Sequence, residues 1–147
     1  MGESRRSESG RGRGLAGRAV GLDLLPLDVL RPHERVSEER VALVMEEISR
    51  TRALAAPILV DSKTLVVLDG HHRLEALKRL GARYAPVLLV DYDCDLVEVA
   101  AWREGEIVTK ELVRRAGLTG ELLPPRTSRH VLKFEPPRRV FSLEELL

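Results

Sequence analysis

The segment from 64 to 81 joins a short apolar run, a glycine turn and a helical pattern in direct succession. Residues 64–68 are threonine, valine or leucine and end in turn residues, which indicates a buried strand. Residues 74–80 place leucines at helical spacing, and Gly81 follows as the C-cap, which predicts a helix. A strand that turns at Gly70 into a helix directs unpaired backbone N–H groups and the positive end of the helix dipole at one point. Such a point suits a phosphate group.

Side chains at this turn add hydrogen-bond donors to the predicted phosphate site. His71 and His72 supply imidazoles, and Arg73 supplies a guanidinium that can grip a phosphate with two parallel bonds. The alternative is that Asp69 caps the helix and the three basic residues are solvated. Basic residues are unfavourable at the positive end of a helix, which favours anion binding by Gly70, His71, His72 and Arg73. Asp69 would help to hold Mg²⁺ there, because magnesium prefers carboxylate and phosphate oxygens.

The composition limits the classes of protein that fit this chain. The formal net charge of the 147 residues is +1, so bulk electrostatics make nucleic acid an unfavoured partner. Cys94 is the only cysteine, which excludes a disulfide framework and is typical of the reducing cytoplasm. No apolar run approaches the roughly 18 residues of a membrane span, and no signal peptide is evident. Asn and Gln are absent, as in heat-adapted proteins, although a GC-rich genome would also raise the arginine content.

The order of predicted elements indicates an α+β fold with a small mixed sheet. Residues 1–18 are rich in Gly, Ser and Arg and are expected to form a disordered basic arm, with 19–147 as a single domain. The pattern predicts a hairpin with a two-residue turn at 62–63, and a short helix at 109–116 with Thr109 as its N-cap and Gly117 as its C-cap. The predicted strands are 20–27, 57–61, 64–68, 85–90 and 131–134, with 96–102 extended, and the predicted helices are 37–52, 71–80, 109–116 and a capped turn at 142–147.

Several residues outside the glycine turn have both a structural and a functional interpretation. Glu34 lies in a loop after the first strand, where it is either a solvated acid or a general base across a pocket from the phosphate turn. Trp102 is either core packing or a ligand contact. The polar loop from Thr127 to His130 would bind a carboxylate or phosphate, or be an exposed connection. The four histidines lack a zinc-binding spacing, and Cys94 lies between two aspartates, which disfavours a reactive thiolate.

Three stretches carry a resemblance to a known family. The run from Asp69 to Arg73, with its flanking strand and helix, resembles the signature of the ParB/sulfiredoxin-like superfamily. Pro32-His33-Glu34 and the late run 124–130 add a similarity to the free L-serine kinases of archaea and some bacteria. The resemblance covers about residues 20 to 135. It implies a compact ParB/sulfiredoxin-like domain with a phosphate-binding helix N-terminus.

The resemblance also implies a reaction and the residues that carry it. Such kinases phosphorylate free L-serine to O-phospho-L-serine, with ATP or ADP and Mg²⁺. By analogy Glu34 would be the general base, Asp69 would support catalysis and the metal, and Gly70 to Arg73 would bind the nucleotide phosphates. The implied partners are the nucleotide and L-serine, in a monomer or dimer. The residues implied in serine binding are Val36, Trp102, Arg103, Thr127, Ser128, Arg129 and His130.

Two related activities are alternatives. Sulfiredoxins have a cysteine in the phosphate turn, where this chain has His71. ParB-like regulators are nucleotide-dependent DNA-binding proteins that carry a helix-turn-helix domain and usually Glu-Arg-Arg in place of His71-His72-Arg73. A single short helix at 109–116 follows the predicted core here, which disfavours a recognition helix pair.

Overall fold

The computed structural model describes residues 21–147. The predicted arm at 1–18, and with it the domain boundary at residue 19, lies outside the described residues. Leu27–Val29 forms a 3₁₀ turn. The strands are β1 (Gly21–Pro26), β2 (Ala53–Leu54), β3 (Ile58–Asp61), β4 (Val67–Asp69), β5 (Tyr84–Val90), β6 (Val97–Ala101), β7 (Ser128–Leu132) and β8 (Phe141–Ser142), and the helices are α1 (Glu38–Thr51), α2 (His71–Arg79), α3 (Lys110–Thr119) and α4 (Leu143–Leu146).

A four-stranded mixed sheet forms the centre of the fold, in the order β1-β5-β3-β4. Strand β5 pairs antiparallel with β1 and parallel with β3, and β3 pairs antiparallel with β4. The predicted α+β class and mixed sheet are therefore confirmed. The two remaining pairs, β6 with β7 and β2 with β8, form separate antiparallel ribbons.

The central sheet is buried on both faces. Ile58 and Val60 of β3 belong to the core that α1 and α2 cover, whereas Leu59 belongs to a second core beneath the β6–β7 ribbon and α3. Alternate residues of a strand point to opposite faces, so this one strand joins both cores. Because apolar side chains are needed on both faces, β3 is a continuous apolar run up to Asp61.

The predicted two-residue turn between β3 and β4 is wrong. Strand β4 begins at Val67, three residues later than predicted, and Leu65 has a φ of 63°. Asp61 is fully buried and accepts hydrogen bonds from the Lys63 N–H and the Thr64 hydroxyl. This aspartate therefore stabilises a longer turn that the sequence does not mark with an Asn-Gly pair.

The predicted end of α3 is also wrong. Thr109 caps the helix as predicted, but the helix continues to Thr119, and Gly120 is its C-cap with a φ of 82°. Gly117 lies within the helix. The residue there is glycine because a Cβ would stand 2.7 Å from two methyl groups of Val66. Its role is close packing of α3 against Val66, the residue before β4, rather than chain reversal.

Strand β7 begins at Ser128 rather than at 131, since Ser128 pairs with Ala101 and Leu132 with Val97. Residues 128–130 of the predicted loop are therefore strand. The predicted helix starts at Ser37 and Ser142 are confirmed by side-chain caps to Arg40 N–H and Glu145 N–H. Among residues 21–147, no helix has the length and apolar character that a membrane crossing requires.

Candidate active site

The β4–α2 junction has the geometry predicted for an anion site. Gly70 is the N-cap residue of α2, with a φ of 108°, and no side chain caps the helix. The prediction that Asp69 caps it is wrong, because the Asp69 side chain is largely exposed and lies 3.9 Å from the Arg73 guanidinium. The first N–H groups of α2 thus have neither an intrahelical partner nor a side-chain cap, which leaves them available to a ligand.

The two histidines of α2 are hydrogen-bond acceptors at Nε2. His71 Nε2 accepts the backbone N–H of His33 at 3.1 Å, and His72 Nε2 accepts that of Ser37 at 3.0 Å. A neutral imidazole that accepts at Nε2 carries its proton on Nδ1, so each ring retains one donor for a ligand. The histidines therefore hold both ends of the 33–37 loop against α2, a role that sequence reasoning missed.

Burial keeps both imidazoles neutral. It is the main cause that lowers the pKa of His71 to about 3, and it also lowers the pKa of His72. The positive charge of Arg40 is the second cause at His72. The two rings therefore act as neutral N–H donors, which agrees with their predicted role as hydrogen-bond donors at the phosphate site.

Arg73 connects α2 to the neighbouring loop. Its Nη1 donates to the backbone oxygens of Ala56 and Pro57, each at 2.9 Å. The Nη2 group faces Asp69 and the glycine turn, where a Cβ on Gly70 would stand 3.2 Å from it. One side of the guanidinium thus has a structural role, and the other side lies at the predicted phosphate site.

Glu34 is buried, and its two oxygens have different partners. Oε1 accepts the Arg126 N–H at 3.1 Å, and Oε2 accepts the Ser128 N–H at 2.8 Å and the Ser128 hydroxyl at 2.6 Å. Burial raises the pKa of Glu34, but hydrogen bonds from His33 and Ser128 outweigh it and lower the pKa to about 2. The reading of Glu34 as a solvated loop acid is therefore wrong, because the carboxylate is buried and ionised.

A cavity of about 380 Å³ brings Glu34 and the phosphate corner together. Residues 69–73 line one wall, and Glu34, Trp102, Arg126 and Ser128 lie on the lining as well. Trp102 is half-exposed, with the guanidinium groups of Arg126 and Arg129 about 5.4 and 5.5 Å from its ring centre. The core-packing reading of Trp102 is therefore wrong.

A second cavity of about 630 Å³ adjoins the first and shares Asp69 and Arg73 with it. His130 lies on its lining, and His130 Nε2 is 2.8 Å from the Tyr92 hydroxyl. Burial is the main cause that lowers the pKa of His130 to about 3. Its Nδ1 is buried without a hydrogen-bond partner among the residues described.

The remaining predicted serine contacts lie outside both cavities. Val36 packs against the core on the α1–α2 side, the Thr127 hydroxyl donates to Pro124 O, and Arg103 donates to Pro125 O. Arg129 reaches the site only through its contact with Trp102. Sequence reasoning missed Arg40, Arg126 and the segment 53–56, which comprises β2 and the two residues after it; all of these line the first cavity. The sequence signal for Arg126 was its place in the run 124–130, which carries part of the resemblance to the serine kinases.

The residues at the corner fit a magnesium ion that binds together with a phosphate group. Within residues 21–147, no group of three or more His, Cys, Asp or Glu side chains could form a metal site on its own. Magnesium commonly binds one or two carboxylates together with substrate phosphates and water. The exposed Asp69 carboxylate beside the α2 N-terminus suits that arrangement.

Curated proteins from several organisms are similar in sequence. A ParB-like protein of Sulfolobus acidocaldarius is 44% identical over 75 residues, which is 50% of this chain and 36% of that protein. An ATP-dependent L-serine kinase of Desulfurococcus mucosus is 33% identical over 101 residues, 63% of this chain and 40% of the relative. An ADP-dependent L-serine kinase of Thermococcus kodakarensis is 30% identical over 87 residues, which is 56% of this chain and 36% of that protein. The chain thus matches well under half of each relative's length. No protein-family model matches the sequence.

Solved structures extend the similarity to nearly the whole described chain. A free serine kinase in complex with AMP superposes with a TM-score of 0.78 at 21% identity, over 87% of this chain and 94% of that one. The chain has the fold of the free serine kinases. The predicted resemblance to ParB-like proteins and L-serine kinases is therefore confirmed.

Proposed function

We propose that this protein is a free L-serine kinase, which transfers a phosphoryl group from ATP or ADP to the hydroxyl of L-serine. The observation that carries the proposal is the single cavity lined by both the buried Glu34 carboxylate and the start of α2. The names of the curated relatives support the same reaction, and they include both ATP-dependent and ADP-dependent enzymes. The product would be O-phospho-L-serine.

The nucleotide phosphates would bind at the start of α2. Gly70, His71, His72 and Arg73 all line the cavity there. The first backbone N–H groups of α2, the Nδ1–H groups of the two rings and Nη2 of Arg73 would donate to the phosphates. Arg40, which lines the same cavity, adds positive charge. Asp69 would hold Mg²⁺ against the phosphates, and the ion would neutralise charge as the phosphoryl group leaves.

Serine would bind on the Glu34 side of the cavity. Trp102, Arg126 and Ser128 lie there, and the cationic Arg126 suits the carboxylate of an amino acid. Roles for Val36, Arg103, Thr127, Arg129 and His130 in serine binding remain predictions.

The proposed reaction is a direct transfer. A bond forms between the serine oxygen and the terminal phosphorus, while the bond from that phosphorus to the bridging oxygen of the nucleotide breaks. The serine proton passes to Glu34, and the departing nucleotide keeps the electron pair of the broken bond. Positioning and charge neutralisation supply most of the catalysis in such transfers.

The test is formation of phosphoserine by the purified protein with Mg²⁺, L-serine, and ATP or ADP in separate reactions. Glu34→Gln keeps the size of the side chain but removes its charge, and should reduce turnover by at least about 100-fold. Glu46→Gln is the matched control, because Glu46 is an exposed carboxylate of α1 outside the cavity lining. Absence of phosphoserine with both nucleotides would refute the proposal.

The alternative, a ParB-like nucleotide-dependent DNA-binding regulator, draws support from the name of the Sulfolobus relative. Within the described chain, α3 leads to strand β7 rather than to a recognition helix. A salt-sensitive gel shift on DNA, in a protein that forms no phosphoserine, would favour this alternative.

A further inference from the structure

We propose that His33 is a buried imidazolium, paired with the Glu34 carboxylate through the hydroxyl of Ser128, and that this pair sets the charge of Glu34. The proposed catalytic consequence rests on the kinase function above, but the charge state can be tested without it. The inference follows from counting the hydrogens available to three adjacent side chains.

The first hydrogen lies on His33 Nδ1. This nitrogen is 2.6 Å from the backbone oxygen of Val67. A carbonyl oxygen can only accept, so the contact requires a proton on Nδ1. If the ring were neutral, Nε2 would then be an acceptor without a hydrogen.

The second hydrogen belongs to Ser128. Its Oγ lies 2.6 Å from Glu34 Oε2 and 2.8 Å from His33 Nε2. The hydroxyl has one hydrogen, so it can donate to one of these two atoms. With a neutral His33 and an ionised Glu34, one of the two short contacts would join two acceptors. Satisfying both contacts requires one further proton, on either His33 Nε2 or Glu34.

The backbone around Glu34 assigns that proton to His33. The N–H groups of Arg126 and Ser128 donate to the two oxygens of Glu34, at 3.1 and 2.8 Å. Hydrogen bonds to both oxygens favour the ionised carboxylate, which could not donate to Ser128. His33 Nε2 then donates to Ser128 Oγ, and Ser128 donates to Glu34. The direct distance from His33 Nε2 to Glu34 Oε2 is 3.4 Å.

The surroundings of His33 fit a single positive charge. His33 is fully buried, so an unpaired cation there would be costly. Two other rings face it, His71 at 4.6 Å and His130 at 6.1 Å between ring centres. His71 is a neutral acceptor at Nε2, so it cannot compensate the charge. Glu34 is the carboxylate that compensates the charge. Burial is the main cause of the low pKa of His71 and His130, and a positive charge on His33 is the second cause.

His33 is therefore a positioning residue in the proposed reaction. Its proton holds the Ser128 hydroxyl toward Glu34 and keeps Glu34 ionised, while Glu34 Oε1 accepts only the longer bond from Arg126. That oxygen is the one best placed to accept the hydroxyl of a bound serine.

The experiment is NMR of the histidine ring nitrogens in ¹⁵N-labelled protein without nucleotide or serine. At about pH 8, one ring should show both nitrogens protonated, and assignment should place it at His33. Glu34→Gln should convert that ring to a neutral one. Glu46→Gln should leave it protonated.

A neutral His33 in the unaltered protein at that pH would overturn the inference by itself, even if Glu34→Gln folded poorly. A His33 that stays doubly protonated in a folded Glu34→Gln protein would also overturn it, because Glu34 would not be the partner. Since no substrate is present, either result is distinct from failure of the kinase assay. As a second measurement, Ser128→Ala should move the acid limb of kcat/KM to higher pH, and Ser128→Thr should restore it.

Discussion

The glycine at the start of α2 provides the sharpest test of the phosphate corner. In Gly70→Ala the new side chain would occupy a backbone with a φ of 108°, and its Cβ would stand 3.2 Å from the nearest Ile58 carbon and 3.2 Å from Arg73 Nη2. The left-handed backbone costs roughly 1–2 kcal/mol for a residue with a Cβ. Crowding of the buried Ile58 adds about 1 kcal/mol. The lower entropy of the unfolded alanine chain offsets about 0.5 kcal/mol.

The expected loss in the free energy of unfolding is therefore about 2 kcal/mol, measured by urea denaturation followed by circular dichroism. Gly81→Ala is the matched control, because Gly81 has a φ of 84° but no atom within 4 Å of the added Cβ. It should lose about 1 kcal/mol, from the backbone alone. The difference between the two variants isolates the crowding at the corner.

Gly70→Ala should also raise the Kd for ADP by about 10-fold or more, measured by isothermal titration calorimetry, while Gly81→Ala should leave it unchanged. The reason is that the new methyl group displaces Arg73 and occupies the turn that the phosphates would approach. Equal stability losses in the two variants would refute the packing argument. Unchanged ADP affinity in a folded Gly70→Ala protein would refute the phosphate assignment.

Three further predictions concern packing, pH and substrate. Gly117→Ala should cost about 1–3 kcal/mol of unfolding free energy, and Val66→Ala in the same chain should recover part of it, because the added Cβ stands 2.7 Å from the Val66 methyl groups. His71 and His130 have pKa values of about 3 in the folded protein, so the unfolded chain binds more protons than the folded one below about pH 6.5. The contribution of these two histidines to the free energy of unfolding should therefore be full above that pH and should fall toward pH 3. The expected loss is up to about 1.4 kcal/mol per histidine per pH unit, measured by urea titrations. Trp102→Ala should raise the KM for serine and change the unfolding free energy by less than about 1 kcal/mol, because the indole is half-exposed at the cavity.

The local sequence pattern was sufficient to predict those elements whose structure depends mainly on their own residues. The apolar runs predicted β3 and β5, and the Ser37 and Thr109 caps predicted the starts of α1 and α3. The local pattern failed where a contact between residues distant in sequence determines the structure. Gly117 does not end α3. Glycine is required at this position because a Cβ would collide with Val66, a residue distant in sequence. Ser128 starts a strand because β6 offers it a partner, which no property of its own neighbours indicates.

The candidate site likewise contains features that the sequence predicted and features that it did not. The glycine corner and Glu34 could be predicted, and they line one cavity. The partners of His71 and His72 could not, since the acceptor role of each ring depends on backbone N–H groups 38 and 35 residues away. Arg40 was read only as part of a helix start, because the folded chain alone shows that its side chain lines the cavity.

The charge of Glu34 limits what it can do in the proposed transfer. A general base works best with a pKa near the operating pH, and the pKa of Glu34 is about 2. Such a carboxylate removes a proton poorly from a free hydroxyl. In the loose transition state of phosphoryl transfer, however, the bond to the leaving oxygen is largely broken before the attacking hydroxyl loses its proton. The hydroxyl becomes much more acidic as it bonds to phosphorus, so a weak base suffices late in the reaction. Glu34 would therefore contribute mainly by orienting serine, which requires a rigid carboxylate that stays ionised until it accepts the proton late in the transfer, rather than a strongly basic one.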